Sequence, residues 1–205
     1  AIVCNCVRPH LYHIIQGAYY DPLNNRPTGR YSYERITTIA DHRHGTFVRG
    51  GNFRPAPRVP TAVQRAEEIR AGGGHAHCGA MVYLGDNWPS KYRNQIFLNN
   101  VHGRRINNDR LTRKGSGYTA SHEPDVMIAA DPWFVGVSLV YGPDGAVYSS
   151  DFSDIGECHH HINTQKHTGR IFKIAYGEPK TWQGDLNKLS NEELLKLNLH
   201  KNDWF

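Results

Sequence analysis

The sequence predicts an all-β fold ending in a short helix, and three observations carry that expectation. Runs rich in β-branched and aromatic residues recur at close spacing between Gly79 and Gly177, about six of them. One pair flanks Gly142-Pro143-Asp144-Gly145, a strong hairpin-turn signal. Near the C-terminus, Ser190 and Glu193 stand in capping-box register ahead of Leu194, Leu195, Leu197 and Leu199, which marks a helix start. Strands at this rhythm suit an all-β repeat, in which a propeller blade takes about 40–50 residues. The chain is therefore expected to form a partial β-propeller of about two to three blades with a short C-terminal helix.

The elements follow in chain order. "HLYHII" and "RITTIADH" read as short strands. Residues 42 to 74 read as an inserted loop, with a short helix near "TAVQRAEEIRA" whose charges form a solvated face. "GAMVYLGDNWP" is an apolar run closed by a turn, and "NQIFLNNVHGRRINNDRL" reads as two short strands around a break at Gly103. "FVGVSLVYGPDGAVYSSDF" is the hairpin. In "TGRIFKIAYG", Ile171, Lys173 and Ala175 alternate with Phe172, Ile174 and Tyr176, giving one more strand. Residues 1–71 thus read as an incomplete blade with an inserted loop, 72–180 as C-terminal blades, and 181–205 as the start of a helical segment.

Composition narrows the function classes. With 205 residues the chain can make one sizeable domain or two small ones. Its formal net charge is +5 with His neutral, and its 13 histidines add to that in mild acid. The basic residues are scattered, with short pairs at Arg104-Arg105 and Arg113-Lys114, and there is no basic helix or nucleic-acid signature. Nucleic acid is not an expected partner. No apolar run reaches the roughly 20 residues of a helical membrane span, and no basic-then-apolar leader opens the chain. The chain begins at Ala1, so a processed or truncated start is expected. Cys4 and Cys6 are too close to bridge readily, and no second close cysteine pair exists to complete a zinc ribbon.

Three stretches in this order carry a family resemblance: "GGGHAHCGAMVYLGDNWPSKYRNQIFLNNVHGRRIN", "DPWFVGVSLVYGPDGAVYSSDFSDIGECHHH" and "TGRIFKIAYG". Together they resemble the C-terminal part of a family of membrane-bound dehydrogenases of planctomycete and verrucomicrobial bacteria. More distantly, they are similar to the pyrroloquinoline-quinone-dependent glucose/sorbosone dehydrogenases. The resemblance covers almost the whole chain and is strongest over residues 72–177, although "GPDGAVY" alone is common to many propellers. It implies a six-bladed propeller followed by helical repeats and often a haem-binding segment. It also implies a periplasmic or secreted location, and oxidation of a sugar or alcohol with pyrroloquinoline quinone and calcium. On that reading this chain is a fragment, inactive alone, whose partners are the missing blades and the helical and haem segments of its parent. No Cys-x-x-Cys-His haem motif occurs in it.

The resemblance assigns roles to several residues. "VHGRRI" would line the propeller mouth, with His102 standing where relatives carry a lysine that contacts the quinone. Arg104 and Arg105 beside it suit bidentate carboxylate recognition, or an exposed loop. In "ADPWFVGV", relatives place two cofactor-binding arginines where this chain has Trp133 and Val135. Trp133 can stack on a flat ligand or fill a core. This departure favours a second reading, a non-catalytic propeller that binds polysaccharide or a protein partner.

Other candidates come from the residues themselves. His75 and His77 are two apart, so an extended segment puts both on one face, as a metal pair needs; His42 and His44 repeat the spacing. Asp151 and Asp154 offer oxygens to a hard cation, and Cys158, His159 and His161 suit a softer one. In an extended loop His159 and His161 turn to one side and His160 to the other. A metal-dependent hydrolase or oxidase built on the histidine pairs is the third reading.

Overall fold

A computed structural model describes residues 1–4, 11–18, 20, 36, 38–40, 76–101, 103–153 and 167–205. Among them lie the strands β1 (Ile2–Cys4), β2 (Leu11–His13), β3 (His77–Val82), β4 (Ile96–Asn100), β5 (Arg105–Lys114), β6 (Gly117–Ile128), β7 (Gly136–Tyr141), β8 (Val147–Asp151) and β9 (Arg170–Ile174). One α-helix, α1 (Asn191–Leu197), follows them. The strands form three antiparallel sheets: the pair β1-β2, the four-stranded β3-β4-β5-β6, and the three-stranded β7-β8-β9. The two larger sheets are simple meanders, each strand pairing with the next in sequence.

Local chemistry explains most of these boundaries. The β7–β8 hairpin closes where Asp144 Oδ1 accepts the Ala146 N–H at 3.1 Å and the Gly145 N–H bonds the Gly142 carbonyl at 2.9 Å. Helix α1 starts at a reciprocal cap: Ser190 Oγ accepts from the Glu193 N–H and Glu193 Oε2 from the Ser190 N–H. Leu195 within it and Leu199 just beyond it stay in solvent, 71% and 88% exposed, while Leu197 is half-buried. In β9, Phe172 and Ile174 turn into the core while Ile171 and Lys173 face out, as the alternation predicts.

The middle sheet is covered on both faces. Phe97 and Ile106 on one face pack with Met81, Tyr83, Trp88, Phe134, Leu139 and Val147, and with Phe172 and Ile174 at the margin. Ile96, Leu98 and Ala120 on the other face pack with Leu11 of the β1-β2 pair, flanked by Ile2 and Cys4. The three sheets therefore stack face to face, with β1 against β3 and β3 against β7. Two glycines permit the close approach. A Cβ on Gly79, whose φ is +62°, would overlap the Val137 carbonyl of β7, and one on Gly136 would overlap the Asn99 carboxamide of β4. The outer face of the three-stranded sheet is open, with Val140 60% and Ile171 77% exposed.

The C-terminal tail closes one end of this stack. Arg93 Nη1 donates to the carbonyls of Leu84 at 2.6 Å and Lys201 at 2.7 Å, and its Nη2 meets Asp203 at 2.6 Å. Asn202, fully buried, donates from Nδ2 to the Gly142 carbonyl at 2.9 Å. Tyr83 lies beneath, stacked on Phe97 at 5.4 Å with its rings nearly parallel. This is the tail end.

Sequence and structure agree on β4, β5, β7, β8, β9 and the terminal helix. Between Gly79 and Gly177 the described residues hold seven strands rather than about six, because β6 ("GYTASHEPDVMI") has no apolar alternation to announce it. In "RITTIADH", the described residues make only single bridges, Tyr20 to Ile36 and Ala40 to Ala120. The helix expected near "TAVQRAEEIRA" lies outside the described residues.

Candidate functional site

Strand register brings most candidate residues to the end opposite the tail. His77, Asn100, Arg105 and Ile128 are successive cross-strand partners in the four-stranded sheet. Gly136, Asp151 and Arg170 are partners in the three-stranded sheet. Residues 129–135 join the two rows, and Cys78 Sγ donates to the Gly136 carbonyl at 3.4 Å. Both rows thus lie at one end, here called the charged end.

The backbone is irregular there. Register breaks fall at Cys78/Met81 in β3, Ile106/Asn108 between β5 and β6, and Gly136/Ser138 in β7. Among the described non-glycine residues with positive φ, Ala76, Arg104 and Ser153 lie at this end, with φ of 59°, 50° and 55°. The left-handed region is costly for such side chains and persists where surrounding structure enforces it, often at functional sites.

Four charged side chains converge on this backbone. Asp151, with its side chain fully buried, accepts the Val135 N–H at 2.6 Å and the Ser153 N–H at 3.1 Å on Oδ1. Its Oδ2 meets Arg170 Nε at 2.7 Å, and Arg170 Nη1 reaches Asp131 Oδ2 at 2.6 Å. Asp131 Oδ1 takes the Trp133 N–H at 2.8 Å. That N–H, followed by the Arg170 guanidinium, holds the Asp131 carboxyl below the usual carboxylate range. Arg104 completes the group: burial pulls its basicity down, and the fields of Asp131 and Asp151 act against that. The Arg170 guanidinium lies 4.9 Å over the Phe172 ring, which fixes its plane. Asp131 and Arg170 stay 41% and 35% exposed.

A second polar layer is buried behind the cluster on the face of the four-stranded sheet that carries Leu98. The β5/β6 register break sets Pro124, Asp125 and Val126 of β6 against Asn107 alone, and Asp125 turns inward there. Asp125 accepts from Asn107 Nδ2 at 2.7 Å and from Arg105 Nη1 at 3.3 Å; Asp125 and Arg105 are 2% and 4% exposed. Burial raises the Asp125 carboxyl, against the pull of Arg105, Asn107 and His122. His77 Nε2 lies 3.1 Å from Asn107 Oδ1, and His122 sits 3.6 Å from both Asp109 and Asp125.

The sequence-derived candidates divide accordingly. Arg104, Trp133 and Asp151 lie in the charged-end cluster. Arg105 and His77 lie in the buried layer behind it, so Arg105 sits in the interior rather than in a mouth. His75, His102, Asp154, His159 and His161 lie outside the described residues. No group of three metal-ligating side chains occurs among the described residues. Two members of the cluster, Asp131 and Arg170, are not foreseen by the sequence reading. Register in the folded sheet sets Arg170 across from Asp151, a favourable opposite-charge pair that the long connection between β8 and β9 hides in the sequence.

These residues do not fit a carboxylated quinone. Three cations, Arg104, Arg105 and Arg170, face three carboxylates, Asp125, Asp131 and Asp151. Arg105 is committed to Asp125 below the surface, and Arg170 already binds two carboxylates. A tricarboxylate placed among the described groups would meet Asp131 with no uncommitted arginine to hold it.

Fold and site together define a β-rich protein of face-packed antiparallel sheets with a charge-balanced, backbone-strained rim at one end. The chain belongs to the DUF7133 family, whose model, described as a domain of unknown function, matches residues 23–178 and so takes in β3 through β9. No curated protein and no solved structure matches it. No helix among the described residues is long and apolar enough to cross a membrane.

Proposed function

We propose that the stacked meanders are adjoining blades of a β-propeller, and that the charged end is part of its mouth and holds a ligand there without oxidising it. The observation that carries this reading is convergence. The first strands of successive sheets, β1, β3 and β7, lie side by side, as inner strands around an axis do. At one end, the β4–β5 and β6–β7 connections and the ends of β8 and β9 bear the Arg104, Asp131, Asp151 and Arg170 cluster on strained backbone. A sugar or alcohol is the ligand class at the head of the list, since matched charges and fixed hydrogen-bonding groups favour polar, uncharged molecules.

Oxidation of that ligand is a second reading, supported by the order of "VHGRRI", "ADPWFVGV" and "GPDGAVY" along the chain. It places the protein outside the cytoplasm and requires quinone and calcium to be held by groups other than this cluster. One experiment separates the two. The purified chain is titrated with glucose and with soluble polysaccharides, then assayed for dye reduction with added quinone and calcium. Saturable binding without dye reduction is the expected result. Turnover would favour the oxidising parent, and absence of any binding would remove the mouth assignment.

A further inference from the structure

We infer that β9 is a docking edge for a second copy of the chain, the two β9 strands pairing antiparallel about a two-fold axis. One six-stranded sheet results, in the order β7-β8-β9-β9-β8-β7. Strand β9 is the last of its sheet and pairs with β8 alone. Apart from β8, its backbone meets only one group among the described residues, the Trp88 indole N–H, 3.4 Å from the Ile174 carbonyl. A row of unpaired N–H and C=O groups along an edge is a template for another strand. The middle sheet shows how such an edge is closed. Its last strand, β6, carries Pro124 and a register break, and its Ala120 N–H is taken by the Ile39 carbonyl at 2.7 Å. Strand β9 has no proline and no break: Arg170 to Ile174 face Asp151 to Val147 in continuous register.

Charge and shape identify the partner. An exposed lysine on an edge strand ordinarily deters a second copy. Here Lys173 leans back across its own sheet, its ammonium 2.5 Å from Asp144 and 5.9 Å from the centre of the Tyr148 ring. Arg170 likewise turns to carboxylates of its own chain, Asp151 and Asp131. Both cations of β9 are thus balanced within one copy, so an identical edge approaches without meeting an unmatched charge. Between them Ile171 stands 77% exposed. A two-fold axis at Ile171 sets that side chain against its own counterpart and covers both. The same register places Arg170 opposite Phe172 and Lys173 opposite Gly169, so no like charges face each other. An axis at Lys173 would oppose two lysines instead. An isologous contact requires an edge that complements itself, and this edge meets that requirement. Because the paired strands run antiparallel, the two charged ends lie at opposite ends of the shared sheet.

The test is the mass of the chain in solution, followed by sedimentation velocity over a concentration series. A two-chain species is expected to replace the single chain as concentration rises. Ile171→Lys, which opposes two lysines at the axis, should weaken the dimer about tenfold. Ile171 lies outside the core, so the variant should fold, and near-ultraviolet circular dichroism checks that it does. Ile171→Cys supplies a second readout, since opposed residues of an antiparallel pair lie about 4.5–5.5 Å apart, within disulfide range. Mild oxidation should link it into a covalent dimer beyond the wild-type level. Val140→Cys, two strands away and 60% exposed, should not be linked. A single-chain mass at every concentration would overturn the inference. So would a dimer that survives Ile171→Lys unweakened, or one in which Ile171→Cys links no better than Val140→Cys.

Discussion

At the tail end, Tyr83, Arg93 and Asn202 direct most of their polar atoms at backbone; at the charged end, Arg104, Asp131, Asp151 and Arg170 direct theirs largely at one another. The Tyr83 hydroxyl donates to the Gly145 carbonyl at 2.7 Å and accepts the N–H groups of Asn87 and Trp88. Asn202 and Arg93 tie the last residues to the turns at Gly142 and Leu84. Positive φ there falls on Asn94 and on glycines such as Gly145, which tolerate it. Each end has one half-exposed ion pair, Arg93–Asp203 and Arg170–Asp131, but the charged end adds an orphaned guanidinium nitrogen and positive φ at Ala, Arg and Ser. Buried groups bonded to backbone fix loops and contribute stability, whereas half-exposed ion pairs contribute little. The contrast suits a stabilising role for one end and, on the proposed reading, recognition for the other.

The largest effect that would test this division is at Tyr83. Tyr83→Ala removes a fully buried ring and orphans two N–H groups, and should cost about 3–5 kcal/mol in urea unfolding. A loss below about 1 kcal/mol would mean the tail end is not the stable one. Asn202→Ala comes next. It leaves the Gly142 carbonyl without its side-chain donor, and should cost about 1–3 kcal/mol while leaving ligand binding at the far end unchanged.

A pH series sharpens the comparison. Burial pushes the Asp144 carboxyl up, but Lys173, Tyr148 and the Ala146 N–H outweigh it and hold it below the usual range. A carboxylate depressed in the folded state stabilises fully above its unfolded value, about 3.9, and loses that contribution as pH falls through the folded value. Asp144→Asn should therefore flatten the acid limb of the stability curve and lower the plateau above it. An unchanged limb would remove Asp144 from the account. The smallest effect is at Asp131, where Asp131→Asn should change stability by no more than about 0.5 kcal/mol, as an exposed pair does.

The sequence announced some of this and concealed the rest for physical reasons. The β7–β8 hairpin was legible because Gly142-Pro143-Asp144-Gly145 is local turn chemistry between two apolar runs. Strand β6 was not, because Ser121, His122, Glu123, Pro124 and Asp125 read as loop; their partners Arg105, Asn107 and Asp109 are distant in sequence. "NN" at 99–100 and "NND" at 107–109 are polar runs with no apolar signal, yet all five residues are buried. Hydropathy cannot report a polar group satisfied by another polar group. At the site, Arg104 and Trp133 were found through the family resemblance and Asp151 through its carboxylate, whereas Asp131 and Arg170 acquire meaning only from register and proximity.

The most direct test is a cross of two variants against two readouts, Asn202→Ala and Asp131→Asn, each followed by urea unfolding and by glucose titration. The separate roles of the two ends predict that Asn202→Ala loses stability and keeps the titration, and that Asp131→Asn keeps stability and loses the titration. Equal losses in both readouts for both variants, or the reverse assignment, would contradict it.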